Sequence, residues 1–124
     1  MKDLTKLTIN FLGDSITEGA WATEPKYNYV SRVGEKLGCK TNNYGISGTR
    51  IPSANPVFDK DFLTRAKEMG SADLVFVFGG TNDYGHGDSE IGELTSSDSH
   101  TFCGAVRNLA NYLCNHYGKR NVCF

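Results

Sequence analysis

Apolar residues in the first half of the chain switch between the spacing of a strand and the spacing of a helix. Residues 7–12 alternate and then become continuously apolar before a glycine, which is typical of a largely buried strand. Val30, Val33 and Leu37 recur at helical spacing, which predicts a helix between about residues 27 and 37. Two weaker segments follow, namely a polar edge strand at 40–44 and a short helix that ends at Gly70 and is capped by Asp59 or Asp61.

The second half contains the clearest strand signal. Residues 74–78 are five consecutive apolar residues and need cover on both faces, as in a parallel sheet. After a long polar loop, an apolar stripe from Phe102 to Tyr117 predicts an amphipathic helix with Ser99 or Thr101 as its cap. Residues 121–124 open another strand. Strands and helices therefore alternate, which predicts an α/β fold with a doubly wound parallel sheet and helices on both faces.

Composition places the chain among ordinary globular domains. Its 124 residues are 39% hydrophobic and 22% charged, with a net charge of −1, which fits one domain over residues 1–124. The balanced charge gives no reason to expect nucleic acid or an anionic membrane as a partner. No apolar run approaches the ~20 residues that span a bilayer, and the first residues lack the apolar core of a signal peptide, so we expect a cytoplasmic protein.

Metal and cofactor sites are not indicated by the sequence. The four cysteines form no C-x-x-C pair, so neither a zinc site nor a redox dithiol is expected. The acidic residues of the long loop lack the spacing of a metal-binding loop and are read as a solvated segment; they are Asp88, Glu90, Glu93 and Asp98. We therefore expect no metal and no cofactor.

Small, polar, glycine-containing segments follow three of the predicted strands, and ligands of open α/β sheets bind at that edge. Ser15 comes directly after the first strand, where a tight turn can expose its hydroxyl as a nucleophile. The Ser15 N–H, the backbone N–H of a glycine in the second segment and the side-chain amide of Asn82 would form an oxyanion hole. Asp14 and Asp83 are expected to support these loops by accepting backbone N–H bonds.

These segments resemble the blocks of the SGNH or GDSL hydrolases, a family of esterases, lipases, thioesterases and carbohydrate deacetylases. The matching segments are GDSI at 13–16, NYGISG at 43–48 and GTND at 80–83. The resemblance implies a flavodoxin-like, three-layer α/β/α fold. Its parallel sheet would have about four strands in this chain, with the first strand between the second and the third. It also implies that the serine of the first block is the nucleophile. The last glycine of the second block, Gly48, would donate its backbone N–H to the oxyanion, and the asparagine of the third, Asn82, would donate its side-chain amide.

The family's last block, D-x-x-H, supplies the base and its orienting aspartate, and here the sequence departs from the pattern. Asp83 and His86 match D-x-x-H by letter, but directly after the third block, so we do not expect them to be the catalytic pair. We expect the base beyond Phe124. The chain would then be the N-terminal portion of a single SGNH-hydrolase-like domain, inactive by itself, whose exposed C-terminal strand edge favours self-association.

Several plainer interpretations stand beside this one. From its position alone, Ser15 could be a helix N-cap, and Asn82 could close a turn through its own backbone. Nucleotide binding is disfavoured, because the segment 13–19 has no lysine, the wrong glycine spacing and two carboxylates. A non-catalytic ligand-binding module on the same fold remains an alternative function.

The predicted reaction is hydrolysis of small acyl esters through an acyl-enzyme intermediate. Carbohydrate O-acetyl groups are the leading substrate class, since Trp21, Tyr27 and Tyr84 add aromatic rings that suit a sugar. Short-chain lipid esters and thioesters rank behind them.

Overall fold

A four-stranded parallel sheet forms the centre of the computed structural model, which describes residues 3–53, 60–87 and 89–124. Its strands are β1 (Thr8–Gly13), β2 (Lys40–Gly45), β3 (Leu74–Phe78) and β4 (Val122–Cys123). The order across the sheet is β2-β1-β3-β4, and each pairing is parallel. The predicted α/β class and the placement of the first strand between the second and third are confirmed.

The helices are α1 (Ser15–Glu18), α2 (Tyr29–Leu37), α3 (Phe62–Glu68), α4 (Thr81–His86) and α5 (Phe102–Tyr117), with 3₁₀ turns at Leu4–Lys6 and Pro25–Tyr27. Short polar side chains fix where the longer helices begin, as the sequence predicts. Asp61 caps α3 by accepting from the Thr64 N–H at 2.9 Å, and Thr101 caps α5. Asp59, the alternative cap, and Asp88 of the polar loop lie outside the described residues.

Side chains alternate between the two faces of the sheet and build two separate cores. The closed face carries Leu12, Val75 and Val77, which pack under α3 and α5 with side chains such as Leu109 and Leu113. The half-open face carries Ile9 and Phe11 of β1, covered by Val30 of α2, and the outward residues of β3. This division follows from the period-2 geometry of strands.

The expectation that β3 is covered on both faces is wrong for the half-open face. Phe76 and Phe78 are 38% and 49% exposed, although Val75 and Val77 on the other side are buried. Phe76 stacks on Phe11 with ring centroids 5.5 Å apart, but α2 packs toward β2 rather than over β3. A continuously apolar strand indicates that both of its faces can be buried, but the position of a helix determines whether each face is covered.

The carboxyl edge of the sheet gathers the segments that the sequence singled out. Gly13 at the end of β1 pairs in register with Gly45 on one side and Phe78 on the other. The chain therefore leaves three neighbouring strands at the same level. Within the described ranges, no helix is long and apolar enough to cross a membrane.

Candidate active site

The turn after β1 holds the predicted nucleophile. A Cβ on Gly13 would lie 1.9 Å from the Thr17 hydroxyl oxygen, so only glycine fits where the chain leaves the strand. The Asp14 carboxylate caps α1 by accepting from the Ile16 N–H at 3.0 Å, so Asp14, and not Ser15, is the N-cap. Ser15 is the first residue of α1 and is half-buried, and its hydroxyl has no hydrogen-bond partner in the described part of the chain.

The loop after β2 is fixed against α1. A Cβ on Gly45 would lie 2.1 Å from the Glu18 backbone nitrogen, which requires glycine at this close approach. The Glu18 carboxylate accepts from the Ser47 N–H at 2.9 Å and also from the Ser47 hydroxyl. Gly48 then adopts a φ of +77°, the left-handed region that favours glycine. The Gly48 N–H thus belongs to a turn whose start is bound to α1.

The segment after β3 is helical, whereas the sequence placed it in a loop. Helix α4 covers residues 81–86 and lies between two left-handed glycines, Gly80 and Gly87, with φ of +104° and +62°. It was missed because the segment is rich in weak helix formers and too short to show a periodic stripe. The Asn82 amide donates to the Thr49 carbonyl oxygen at 2.9 Å. Asn82 therefore bonds to the preceding loop and does not close its own turn.

Asp83, which follows Asn82 in α4, is buried, with 7% of its surface exposed. Its carboxylate accepts from the Ile51 N–H at 3.3 Å and from the Ser89 hydroxyl at 3.2 Å. Burial raises the pKa of this carboxyl, and the two hydrogen bonds offset part of that rise. A cavity of about 510 Å³ lies beside it, between α4 and the start of α5, with Tyr84 and Phe102 in its lining.

Thr49 links two of the three segments directly. It follows Gly48 in the chain, and its carbonyl oxygen accepts the Asn82 amide. An amide nitrogen carries two hydrogens, so Asn82 keeps a second N–H for another acceptor. A serine hydroxyl, backbone N–H groups and a neutral amide at one sheet edge can supply the nucleophile and the oxyanion donors of acyl transfer.

Comparison with protein families identifies the family of this chain. Residues 11–118 match the GDSL-like Lipase/Acylhydrolase family. The chain belongs to this family. The matched range runs from β1 through the whole of α5 and includes all three strand-end segments.

Solved structures place this GDSL-like chain on the same fold. One crystal structure has a TM-score of 0.84 and 32% identity over 98% of this chain and 57% of its own. A protein from Lactobacillus plantarum has a TM-score of 0.77 and 31% identity over 90% of this chain and 52% of its own. AlinE4, an SGNH-hydrolase family esterase, shares the fold at 20% identity and a TM-score of 0.64, over 94% of this chain and 57% of its own. No curated protein matches the chain.

The GDSL-like chain thus spans little more than half the length of these solved structures. Its three histidines lie on α4, just before α5 and on α5. His86 is exposed at the end of α4, and His116 is exposed near the end of α5. The His100 ring pairs with Asp98 at 3.0 Å. In the described part of the chain, none of them hydrogen-bonds to the Ser15 hydroxyl.

One residue at the site escaped the sequence analysis. Arg65 of α3 is 5% exposed, and its guanidinium reaches the backbone at the ends of β1 and β2. A signal was present, because helical spacing places Arg65 between the apolar positions Phe62 and Ala66. Arginine is rarely fully buried, so an arginine on the core side of a helix points to bonds beneath the surface.

Proposed function

We propose that the full-length protein hydrolyses small acyl esters, with Ser15 as the nucleophile. The Ser15 hydroxyl attacks the acyl carbonyl, the alcohol leaves, and water then releases the acid from the acyl-enzyme. The observation that carries the proposal is the convergence of three glycine-containing strand ends on one edge, within a chain of the GDSL-like family.

The oxyanion hole of this proposal combines two backbone donors and one side chain. The N–H groups of Ser15 and Gly48 and the second N–H of Asn82 would surround the carbonyl oxygen as it gains charge. The Asn82–Thr49 bond supports this assignment, because it fixes the amide beside the turn that carries Gly48. Neutral donors aimed at a developing charge are typically worth about 10²–10³-fold each in rate.

The general base would come from outside these 124 residues. Serine is a weak nucleophile without a base within hydrogen-bond reach. None of the three histidines bonds to the Ser15 hydroxyl within the described residues, and the Asp83 carboxylate is engaged by Ile51 and Ser89 rather than by His86. We therefore expect the 124-residue chain alone to be nearly inactive.

Acetylated carbohydrate is the substrate class that the surroundings favour. Trp21, shortly after α1, and Tyr84, on α4, are each 92% exposed, and Tyr27 is 51% exposed. Exposed aromatic rings on the segments that follow Ser15 and Asn82 offer stacking surfaces for sugar rings, while the near-neutral charge of the chain suits an uncharged substrate.

Turnover of two substrates by the full-length protein tests the proposal. We expect release of nitrophenol from p-nitrophenyl acetate and of acetate from an acetylated xylo-oligosaccharide. Ser15→Ala should lower both rates by about 10³-fold or more. Ser71→Ala is the matched control, because Ser71 is exposed just before β3 at the opposite edge of the sheet. Retained activity in the Ser15 variant would assign the chemistry to another nucleophile.

The sugar assignment has its own readout. Trp21→Ala should raise KM for the acetylated oligosaccharide and leave KM for p-nitrophenyl acetate unchanged, because only the larger substrate reaches the ring. An equal effect on both substrates would contradict a stacking role for Trp21.

A non-catalytic binding module is the second candidate, because no histidine of the described residues hydrogen-bonds to the Ser15 hydroxyl. That function predicts saturable binding of the acetylated oligosaccharide by the full-length protein without release of acetate. Calorimetry and acetate detection on the same sample distinguish the two functions.

A further inference from the structure

Arg65 occupies the centre of a hydrogen-bond cluster directly beneath the carboxyl edge of the sheet. One Nη group donates to the carbonyl oxygen of Tyr44 at 2.5 Å. The other donates to the carbonyl oxygen of Gly13 at 3.1 Å and to the hydroxyl of Thr49 at 2.9 Å. The Nε group donates to the carbonyl oxygen of Lys60 at 3.0 Å. One side chain thus joins α3 to the ends of β1 and β2 and to the loop that follows β2.

The acceptors of this cluster are uncharged oxygens, which sets it apart from an ordinary ion pair. Burying a cation is costly unless its environment compensates, so packing alone gives no reason for an arginine here. Burial lowers the pKa of Arg65 to about 10, and the charges of Asp61 and Asp14 partly offset that fall. The guanidinium is therefore protonated at neutral pH. It also lies over the Phe62 ring, 4.7 Å from the centroid.

Two of the residues that accept from Arg65 lie close in the chain to the proposed oxyanion donors. Gly13 lies two residues before Ser15, and Thr49 directly follows Gly48. Thr49 is held from two sides, because Arg65 donates to its hydroxyl and Asn82 donates to its carbonyl oxygen. The guanidinium is consequently bonded directly to the first and second segments, through Gly13 and Tyr44, and is connected to the third through Thr49.

Backbone donors differ from side-chain donors in one respect that matters here. A side chain can change rotamer to reach the substrate oxygen, whereas a backbone N–H points wherever its loop is held. Stabilising an oxyanion requires donors about 2.7–3.1 Å from the charged oxygen, and small displacements are costly in rate. The relative position of the Ser15 and Gly48 turns must therefore be fixed by a rigid connection.

We propose that Arg65 is the positioning residue of the oxyanion hole, and that its planar guanidinium sets the spacing between the Ser15 and Gly48 N–H groups. This inference rests on the proposed ester hydrolysis. It adds that the geometry of the hole is set from α3, beneath the sheet edge, by a residue that does not touch the substrate. A planar fork can serve several acceptors in fixed directions, whereas a lysine ammonium is a point charge on a flexible stem.

Arg65→Lys and Arg65→Met in the full-length protein test this role. The lysine variant keeps the charge and loses the fork, and the methionine variant loses both. We expect kcat for p-nitrophenyl acetate to fall on the order of 10–10²-fold while KM changes by less than about threefold, since the donors act mainly on the transition state. Arg32→Lys is the matched control, because Arg32 is exposed on α2 and pairs with Glu35.

A tetrahedral adduct separates positioning from general destabilisation. Phenylboronic acid forms such an adduct with an activated serine, and its affinity should fall in parallel with kcat in both Arg65 variants. Leu109→Ala removes a fully buried side chain of α5 that takes no part in the Arg65 hydrogen bonds, and it should leave kcat and boronate affinity unchanged while the protein is folded. Equal losses in the Leu109 variant would overturn the inference.

Backbone amide signals give a readout that does not depend on activity. In Arg65→Lys, the ¹⁵N–¹H resonances of Ser15 and Gly48 should shift and exchange faster with solvent. The resonance of Thr8, whose N–H bonds to Asp73 at the opposite edge, should stay in place. Unchanged Ser15 and Gly48 signals would overturn the inference whether or not the protein hydrolyses esters.

The possible failures are distinguishable. If Ser15→Ala abolishes turnover and Arg65→Lys retains it, the positioning role is wrong and the proposed function stands. If Ser15→Ala retains turnover, the proposed function fails and the amide signals alone decide whether Arg65 sets the loop geometry. If neither Arg65 variant folds, Thr49→Val decides, because it removes one acceptor of the guanidinium. We expect kcat to fall about three- to tenfold in that variant, and no fall would contradict the inference.

Discussion

The two faces of the sheet are built from similar apolar strands, but helices cover them to different extents. On the closed face, α3 and α5 bury a continuous core that includes Leu12, Val75 and Leu109. On the half-open face, α2 covers β1, and the rings of Phe76 and Phe78 stay partly exposed. The same strand, β3, is thus fully buried on one side and half-covered on the other.

This difference bears on the candidate active site, because the site is supported from the closed face. Arg65 reaches the ends of β1 and β2 from α3. The ring of Phe62, on the same helix, lies so close to Gly79 that a Cβ there would be 2.5 Å from it. Elements of the closed face therefore fix the loops of the candidate active site, while the half-open face contributes to packing and surface. The comparison predicts that changes on the two faces have different consequences.

The largest expected difference is in stability. Leu109→Ala should lower the free energy of unfolding by about 3 kcal/mol, because it opens a cavity in a fully packed core. Phe78→Ala should lower it by less than about 1 kcal/mol, although it removes a larger side chain, since the ring is already half in water. Urea denaturation of both variants measures the two values. Equal losses would show that the half-open face is as tightly packed as the closed one.

The sequence predicted the parts of the fold that depend on local pattern. The run at residues 74–78 predicted β3, and the side chains of Asp61 and Thr101 marked where α3 and α5 begin. These signals lie within a few residues of what they determine. The exposure of Phe76 was not predictable in this way, because it depends on where a distant helix packs.

The features of the candidate site also fall into those set by neighbouring residues and those set by distant ones. The turn around Ser15 could be predicted because its glycine and its capping aspartate are neighbours in the chain. The bond between Asn82 and Thr49 spans 33 residues, and the bond between Arg65 and Gly13 spans 52. At the strand ends Arg65 bonds to the backbone oxygens of Gly13 and Tyr44 and not to side chains, so no charge pattern in the sequence predicts these contacts. Long-range bonds to backbone groups are visible only after the chain is folded.

Self-association of the 124-residue chain should depend on the half-open face. Phe76, Phe78 and Phe124 leave apolar surface next to β4, the strand at that edge of the described sheet. Such an edge favours pairing with a second copy. We expect concentration-dependent dimers by light scattering, and Phe78→Ser should weaken them about tenfold, which corresponds to about 1.4 kcal/mol.

The control for this effect is another exposed apolar residue. Leu94 is 83% exposed in the loop before α5, and Leu94→Ser should leave the dimer unchanged. A chain that stays monomeric at high concentration would show that the half-open face does not associate.

The smallest expected effect is a dependence of stability on pH that arises at Asp83, whose carboxylate accepts from the N–H of Ile51 in the closed-face core. Burial raises the pKa of this carboxyl above its ordinary value of 3.8, so the folded state favours the protonated form. Its contribution to stability is therefore complete below the ordinary pKa, decreases as the pH rises between the ordinary and the raised pKa, and stays constant above that range. Asp83→Asn keeps an acceptor for the Ile51 N–H and cannot ionise, so the variant should lack this decrease. Urea denaturation of the 124-residue chain from pH 3.5 to 7 measures it as the wild-type stability minus that of the variant. A difference that instead grows with pH would mean that the hydrogen bonds from Ile51 and Ser89 outweigh burial, so that the surroundings of Asp83 stabilise the charged carboxylate.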